Sequence, residues 1–177
     1  MATTNWVIDP SHSEIQFKVK HLMITNVTGN FKKFSSSLQT EDEDFSKAVV
    51  SFTADIDSIT TGDENRDGHL KSADFFDAAN HPQMKFVSTG VTDKGDGAYE
   101  LSGDLTIRET TQNIKLAVEF GGVVKDPWGN TKAGFSVIGK LKRKEFGLSW
   151  DAVTEAGGIV VSDEVRIICE VQFIKQP

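Results

Sequence analysis

The clearest metal-ligand spacing in the chain is a run of oxygen-bearing residues. The run comprises Asp63, Asn65, Asp67, Gly68 and, at its twelfth position, Asp74. A calcium loop needs oxygen ligands at alternate positions, a Gly for the sharp turn and usually a bidentate Glu at the end. Residues 49–59 have a strand pattern instead of an amphipathic helix, and Pro82 follows within two helical turns. We therefore favour a polar loop that matches by chance over a calcium-stabilised structural module at residues 63–74.

The remaining chemically versatile side chains do not form a recognisable catalytic motif. His12, His21, His69 and His81 include no pair at the i, i+4 spacing of a helical zinc motif. Cys169 lies in an alternating apolar segment, which is typical of a buried, inert thiol. There is no nucleophile elbow and no phosphate-binding glycine loop. We predict no catalytic residues, no metal and no cofactor. The alternative is an enzyme that acts on a hydrophobic substrate through His21 and His69.

The charge balance limits the classes of partner. The chain has 26 acidic and 19 basic residues and a net charge of −7, which argues against binding a nucleic-acid backbone. One basic cluster, residues 140–144, is best explained as a solvated strand face, and a patch that contacts anionic lipid headgroups is the second interpretation. The start of the chain does not resemble a signal peptide, so we expect a cytoplasmic protein, or a periplasmic one if a leader was removed.

The elements that position these residues are mostly β-strands. Apolar and polar residues alternate along much of the chain, which is typical of antiparallel strands with one wet face. The alternating segments are 14–20, 50–57, 101–108, 114–120, 135–142 and 164–173. Turn signals fall at 93–97, 126–130 and 156–158. About eight strand candidates with few helices predict an all-β domain, either two packed sheets or a closed barrel.

One segment departs from the alternation. Residues 62–82 are polar and hold helix formers from His69 to Ala79, and we expect a loop with one or two helical turns that end before Pro82. Elsewhere the chain is rich in phenylalanine, with 12 Phe against 1 Tyr. Such side chains could form an ordinary packed core or the wall of a ligand cavity, and composition alone favours the core.

Several motifs, in order along nearly the whole chain, resemble the YceI-like family of lipid-binding proteins. The blocks are Trp6-Val7-Ile8-Asp9-Pro10-Ser11-His12-Ser13, Val27-x-Gly29-x-Phe31, Arg66-Asp67-x-His69-Leu70-x-Ser72-x-Asp74-Phe75-Phe76-Asp77, His81-Pro82-x-Met84-x-Phe86, Gly103-x-Leu105-Thr106-Ile107-Arg108 and Arg143-x-x-Phe146-Gly147. The resemblance implies a single domain over residues 1–177. It also implies an eight-stranded antiparallel, lipocalin-like barrel with a short helical insertion around residues 66–80.

The same resemblance implies a binding function. Similar proteins enclose a prenyl or other long chain in an elongated apolar pore, and many are dimers. We therefore expect a carrier or storage protein, not an enzyme, for a polyisoprenoid, an isoprenoid quinone or a similar lipid. We also expect a homodimer that makes at most transient contact with a membrane.

The expected ligand-binding residues fall into two groups. Apolar walls hold a tail, whereas a head group needs polar partners at the mouth. The predicted wall residues are Phe17, Val19, Phe31, Phe34, Phe52, Phe75, Phe76, Phe86, Leu105, Phe135 and Trp150. The predicted head-group residues are His21, Arg66, Asp67 and His69. For Arg66 and Asp67, a salt bridge that pins the loop is an equally weighted alternative.

Overall fold

A computed structural model, which describes residues 2–150 and 161–177, consists almost entirely of antiparallel strands. The strands are β1 (Thr3–Ile8), β2 (Glu14–His21), β3 (Thr25–Phe31), β4 (Phe34–Glu41), β5 (Asp44–Asp55), β6 (Ile59–Thr60), β7 (Gln83–Gly95), β8 (Ala98–Ile107), β9 (Thr110–Lys125), β10 (Thr131–Lys142) and β11 (Val161–Lys175). The helix α1 spans Glu64–Lys71. Among the described residues, no helix is long and apolar enough to span a bilayer.

These strands form a closed barrel. β1 and β2 are two parts of one interrupted barrel strand, because both pair with β11. β3 and β4 likewise form a second interrupted strand, and β5 and β6 a third, which pair with their neighbours in the same order. The remaining strands follow in sequence order from β7 to β11, and β11 returns to β1. The eight-stranded antiparallel barrel is thus confirmed, and closure leaves no long unpaired edge.

The first interruption explains the Asp9–Ser13 block. Pro10 begins a short 3₁₀ turn, and the Asp9 carboxylate accepts hydrogen bonds from the Ser11 amide and hydroxyl at 3.2 and 2.8 Å. Ser13 Oγ accepts the Gln172 amide of β11 at 3.0 Å. Lys132 Nζ lies 3.0 Å from Asp9 Oδ2, which ties the corner to β10. The block is therefore a structural corner that redirects the strand while satisfying its buried polar groups.

Inward side chains alternate with outward ones, as the sequence predicted. On β10, for example, Val137 faces the interior, whereas its neighbour Ile138 is 57% exposed. Gly29 pairs across the sheet with Phe17, whose ring occupies the place that a side chain at Gly29 would need. Close approach of this kind requires glycine at position 29.

One end of the barrel is sealed by aromatic packing. Trp6 is fully buried, and its indole Nε1 donates to Thr40 Oγ1 at 3.0 Å. Phe45 packs against it with 5.5 Å between ring centroids and lies 4.9 Å from Phe120 and 5.2 Å from Phe135. We call this end of the barrel the closed end. The turns at 42–43, 96–97 and 126–130, which connect β4 to β5, β7 to β8 and β9 to β10, lie at the same end.

The insertion lies at the opposite end and differs in its boundaries from the prediction. The helix begins at Glu64 and ends at Lys71, before most of the helix formers of 69–79, which form hydrogen-bonded turns instead. The helix begins early because the Asp63 carboxylate caps it, accepting the amides of Asn65 and Arg66 at 2.9 and 3.1 Å. The predicted turns at 93–97 and 126–130 are hairpins, and that at 156–158 lies outside the described residues.

One strand that the pattern missed has a polar residue at an inward position. This strand is β4, in which Ser36 is buried on the inner face and donates to the Ser51 carbonyl at 2.7 Å. A serine at such a position hides the alternation that identifies a strand. β1, β3 and β7 were also absent from the segments predicted as strands.

Candidate functional site: an apolar cavity with a polar mouth

The barrel encloses a cavity of about 610 Å³, which lies within the usual range for small-molecule pockets. Its wall is formed by inward side chains from all around the barrel and by the insertion. Near the closed end it is bounded by Phe45, Phe135 and Phe173, and in the middle by residues such as Val137, Ile167 and Cys169. The wall is overwhelmingly apolar, so a hydrocarbon chain is the kind of ligand it suits.

Most of the predicted binding residues contribute to this cavity. Those that line it are Phe17, Val19, His21, Phe31, Phe52, Arg66, His69, Phe75, Phe76, Phe86, Leu105, Phe135 and Trp150. Strand alternation brings together residues that are far apart in sequence, such as Phe17 on β2 and Leu105 on β8. Direct contact between these residues and a ligand stays a prediction.

Two predicted residues lie off the cavity lining. Phe34 stacks on Phe52 with 6.3 Å between ring centroids and packs within both neighbouring core clusters, so it lies beside the wall. Asp67 accepts hydrogen bonds from the amide and hydroxyl of Thr61, at 2.8 and 2.6 Å. The carboxylate is therefore used to fix the chain that leads into α1, and the expectation that it contacts a ligand directly has no support in this geometry.

The mouth of the cavity is marked by its solvent-exposed lining residues. Lys20 and His21 lie at the end of β2, and Asn65 and Arg66 lie in the first turn of α1. All four are exposed, whereas the other lining residues are buried or half-buried. The mouth thus carries two permanent cations and an amide, in contrast to the apolar wall below it.

Arg66 is held at the mouth by Thr61 and makes no ion pair with Asp67 within the described part of the chain. Its Nε donates to Thr61 Oγ1, and its Nη2 donates to the Thr61 carbonyl, both at 2.7 Å. Since Asp67 binds the same threonine, the two charged residues pin the segment through a shared neighbour. Arg66 and Asp67 thus hold this segment in place, as one of the two interpretations predicted, but they do so through Thr61 and not through a direct salt bridge.

His69 is positioned by a carboxylate and two aromatic rings. Its Nε2 lies 2.9 Å from Asp74 Oδ2. The ring meets Phe75 and Trp150 edge-on, with 5.1 and 4.8 Å between centroids. These contacts fix the orientation of the His69 ring. The ring therefore provides a polar group among the apolar residues of the insertion that line the cavity.

The carboxylates of the calcium-like run point to separate partners. Asp63 caps the helix, Asp67 binds Thr61 and Asp74 binds His69. Because residues 64–71 are helical, they do not form the irregular loop that brings alternate oxygens to one ion. Across residues 2–150 and 161–177, no group of three or more acidic, His or Cys side chains is placed to hold a metal ion.

A buried arginine organises the other side of the mouth. Arg143 Nη1 donates to the carbonyls of Leu148 and Trp150, at 2.7 and 2.6 Å. Its Nε and Nη2 donate to the carbonyls of Ser162 and Val161, at 2.9 and 3.2 Å. The planar guanidinium thus joins two segments that border the cavity.

The one cysteine lines the middle of the cavity. Burial raises the pKa of the Cys169 thiol to about 11, since the thiolate would lose its hydration there. The thiol is therefore protonated near neutral pH and is a poor nucleophile.

The sequence interpretation missed part of the site. Lys20 and Asn65 were not selected, because neither residue belongs to an apolar pattern. Tyr99, Ile114 and Leu148 also line the cavity and were not selected. Tyr99 on β8 and Ile114 on β9 have the parity of the inward residues of their strands, so the alternation marks both positions.

A family model described as the YceI-like domain matches residues 6–173. The chain belongs to the YceI-like family. A UPF0312 protein of Staphylococcus epidermidis is 35% identical over 171 residues, which cover 96% of this chain and 97% of that protein. The YceI membership confirms the family resemblance drawn from the motifs.

Solved structures show the same barrel. The YceI protein of Campylobacter jejuni matches with a TM-score of 0.78 and 32% identity, covering 89% of this chain and 90% of that one. A polyisoprenoid-binding domain from Saccharophagus degradans matches with a TM-score of 0.67 over 97% of this chain and 98% of that one. At 15% identity, the second likeness is one of fold.

Proposed function

We propose that this YceI-like protein binds a long apolar ligand, such as a polyisoprenoid, an isoprenoid quinone or a similar lipid, as a carrier or storage protein. The observation that carries the proposal is the cavity of about 610 Å³, apolar along its wall and polar at its mouth. The polyisoprenoid-binding domain of Saccharophagus degradans, which has the same fold, supports the ligand class.

Burial of a tail supplies enough free energy for such binding. Each buried methylene contributes about 0.8 kcal/mol. Roughly fifteen buried carbons would therefore contribute on the order of 12 kcal/mol before the costs of ordering the chain are subtracted. An apolar wall selects by length and shape, so we assign recognition of the head group to the mouth.

We further propose that the protein acts by binding and not by catalysis. The protonated thiol of Cys169 is unsuited to nucleophilic attack. The alternative hypothesis is an enzyme that acts through His69. It predicts that His69→Ala keeps the fold but loses turnover of a hydrophobic substrate. Cytoplasmic location and a homodimeric state stay predictions.

The decisive experiment is organic extraction of the natively purified protein followed by mass spectrometry, in the wild type and in Val137→Phe. Val137 faces the middle of the cavity, so the larger ring should obstruct the tail and lower bound lipid at least tenfold. Ile138→Phe is the matched control, because its side chain points outward from the same strand. Equal lipid in Val137→Phe and wild type, or none in the wild type, would overturn the proposal.

A further inference from the structure

The turn between β2 and β3 exposes three consecutive large apolar residues at the mouth end of the barrel. Leu22, Met23 and Ile24 are 39%, 51% and 78% exposed. The preceding residue, His21, lines the cavity mouth, so the turn stands at its rim. We call residues 21–24 the rim turn. None of its three apolar side chains is part of the cavity wall.

The backbone of the rim turn makes these residue types unexpected. The Ile24 amide donates to the His21 carbonyl at 3.2 Å, and both central residues are left-handed, with φ of 52° at Leu22 and 60° at Met23. Two left-handed central positions characterise a type I′ hairpin turn, which strongly favours Asn-Gly or Asp-Gly. Large side chains are strained there, and these gain little burial in return. Folding stability therefore does not account for Leu22 and Met23.

A row of basic residues crosses the strands beside the rim turn. Lys140 on β10 pairs with Arg166 on β11, and Arg166 pairs with Lys18 on β2. Like charges placed directly opposite one another destabilise a sheet. Lys20 continues the basic surface toward the turn and is exposed. Glu164 on β11 lies beside this row, with its Oε1 3.9 Å from Lys140 Nζ.

We propose that the rim turn and the basic row dock this protein on a bilayer that contains anionic lipid. The apolar side chains would enter the headgroup region, and the basic row would face the anionic phosphates. Charge complementarity favours this partner, because anionic phosphates attract the local basic row although the chain as a whole has a net charge of −7. The proposal rests on the proposed function: docking would place the cavity mouth against the bilayer, and a tail could pass without crossing water.

A double substitution separates docking from folding. Leu22→Asn with Met23→Gly installs the residues that the turn geometry prefers, so the melting temperature should stay equal or rise. At the same time, cosedimentation with vesicles of phosphatidylglycerol and phosphatidylcholine should fall at least tenfold. Trp128→Asn is the matched control, because Trp128 is 81% exposed in a turn at the closed end, and its loss should leave vesicle binding unchanged.

The basic row is tested separately. Lys18→Gln with Arg166→Gln should lower binding to the same vesicles and weaken its dependence on salt, since fewer phosphate contacts remain to be screened. Vesicles of phosphatidylcholine alone should bind the wild type at least tenfold less than the anionic vesicles. Equal binding to both kinds of vesicle would overturn the role given to charge.

Two results would overturn docking by the rim turn. One is undiminished vesicle binding by Leu22→Asn/Met23→Gly. The other is a wild-type dimer that this variant converts to a monomer while neither protein binds vesicles, which would assign the turn to a second copy of the chain. Lipid extraction distinguishes the two proposals. If the wild type contains no lipid but binds vesicles through the rim turn, the carrier function is wrong and the docking proposal holds.

Discussion

The closed end and the mouth end of the barrel differ in how they are stabilised. Around Trp6 and Phe45, aromatic rings fill the lumen, and the hairpins outside have turn residues such as Asp96 and Gly97 in their left-handed positions. At the mouth, side chains form polar ties to backbone carbonyls, as Arg143 does, and several residues that line the cavity are exposed to solvent. One end is therefore stabilised by packing, whereas the other is held in order by polar contacts that leave the cavity accessible.

The largest effect is expected at the closed end. Trp6→Ala removes a fully buried ring and the bond to Thr40, and should lower the free energy of unfolding by about 3–5 kcal/mol. Denaturant unfolding measures this. Trp128→Ala, at an exposed turn of the same end, should change it by about 0.5 kcal/mol or less. Similar losses in both variants would break the assignment of stability to the aromatic seal.

An intermediate effect, dependent on pH, is expected at the corner between β1 and β2. Burial alone would raise the pKa of Asp9, but hydrogen bonds from His12, Ser11 and Lys132 lower it well below its ordinary value. A carboxyl with a lowered folded pKa stabilises the protein fully above its unfolded pKa of about 3.9, and the contribution is lost as the pH falls below that value.

Asp9→Asn should therefore destabilise by about 1.5–3 kcal/mol at neutral pH. The difference from wild type should shrink as the pH falls below about 4. Urea unfolding of both proteins over a pH series measures it. A difference that is the same at pH 3 and pH 7 would show that the charge of Asp9 is not what stabilises the corner.

The smallest effect is expected at the mouth, where the hydrogen bonds of Asp67 join residues that are close in sequence. Asp67→Asn keeps an acceptor for Thr61 but loses its charge, and should weaken this segment by ~1 kcal/mol. Hydrogen exchange should show faster exchange of amides between residues 61 and 71, with β1 unaffected. Faster exchange at both ends would contradict the separation of the two regions.

The sequence predicted much of the barrel because its alternation is a local signal. Inward Phe17 and Val19 on β2, for example, were identified from their spacing alone. β4 escaped notice because Ser36 occupies an inner position and satisfies its hydroxyl through the Ser51 carbonyl on the next strand. That partner is distant in sequence, so no local pattern could reveal it.

The candidate site was predicted less completely. The family motif marked Arg66 and Asp67 as a unit, but only the fold shows that Thr61 binds both and that Asp67 turns away from the cavity. Lys20 has the parity of an outward strand residue, and it reaches the mouth because β2 ends there. Such positions depend on where strands end relative to one another.

The strand class, the inward and outward faces and the YceI-like membership can be read from the sequence, because side-chain alternation and short motifs are encoded locally. That a cavity remains inside the barrel is visible only in the folded chain. Whether a lumen is filled depends on the number of strands, their register and the summed volume of side chains brought together from the whole chain, such as the ring of Phe17 that lies over Gly29. These are non-local quantities, and no window of the sequence contains them.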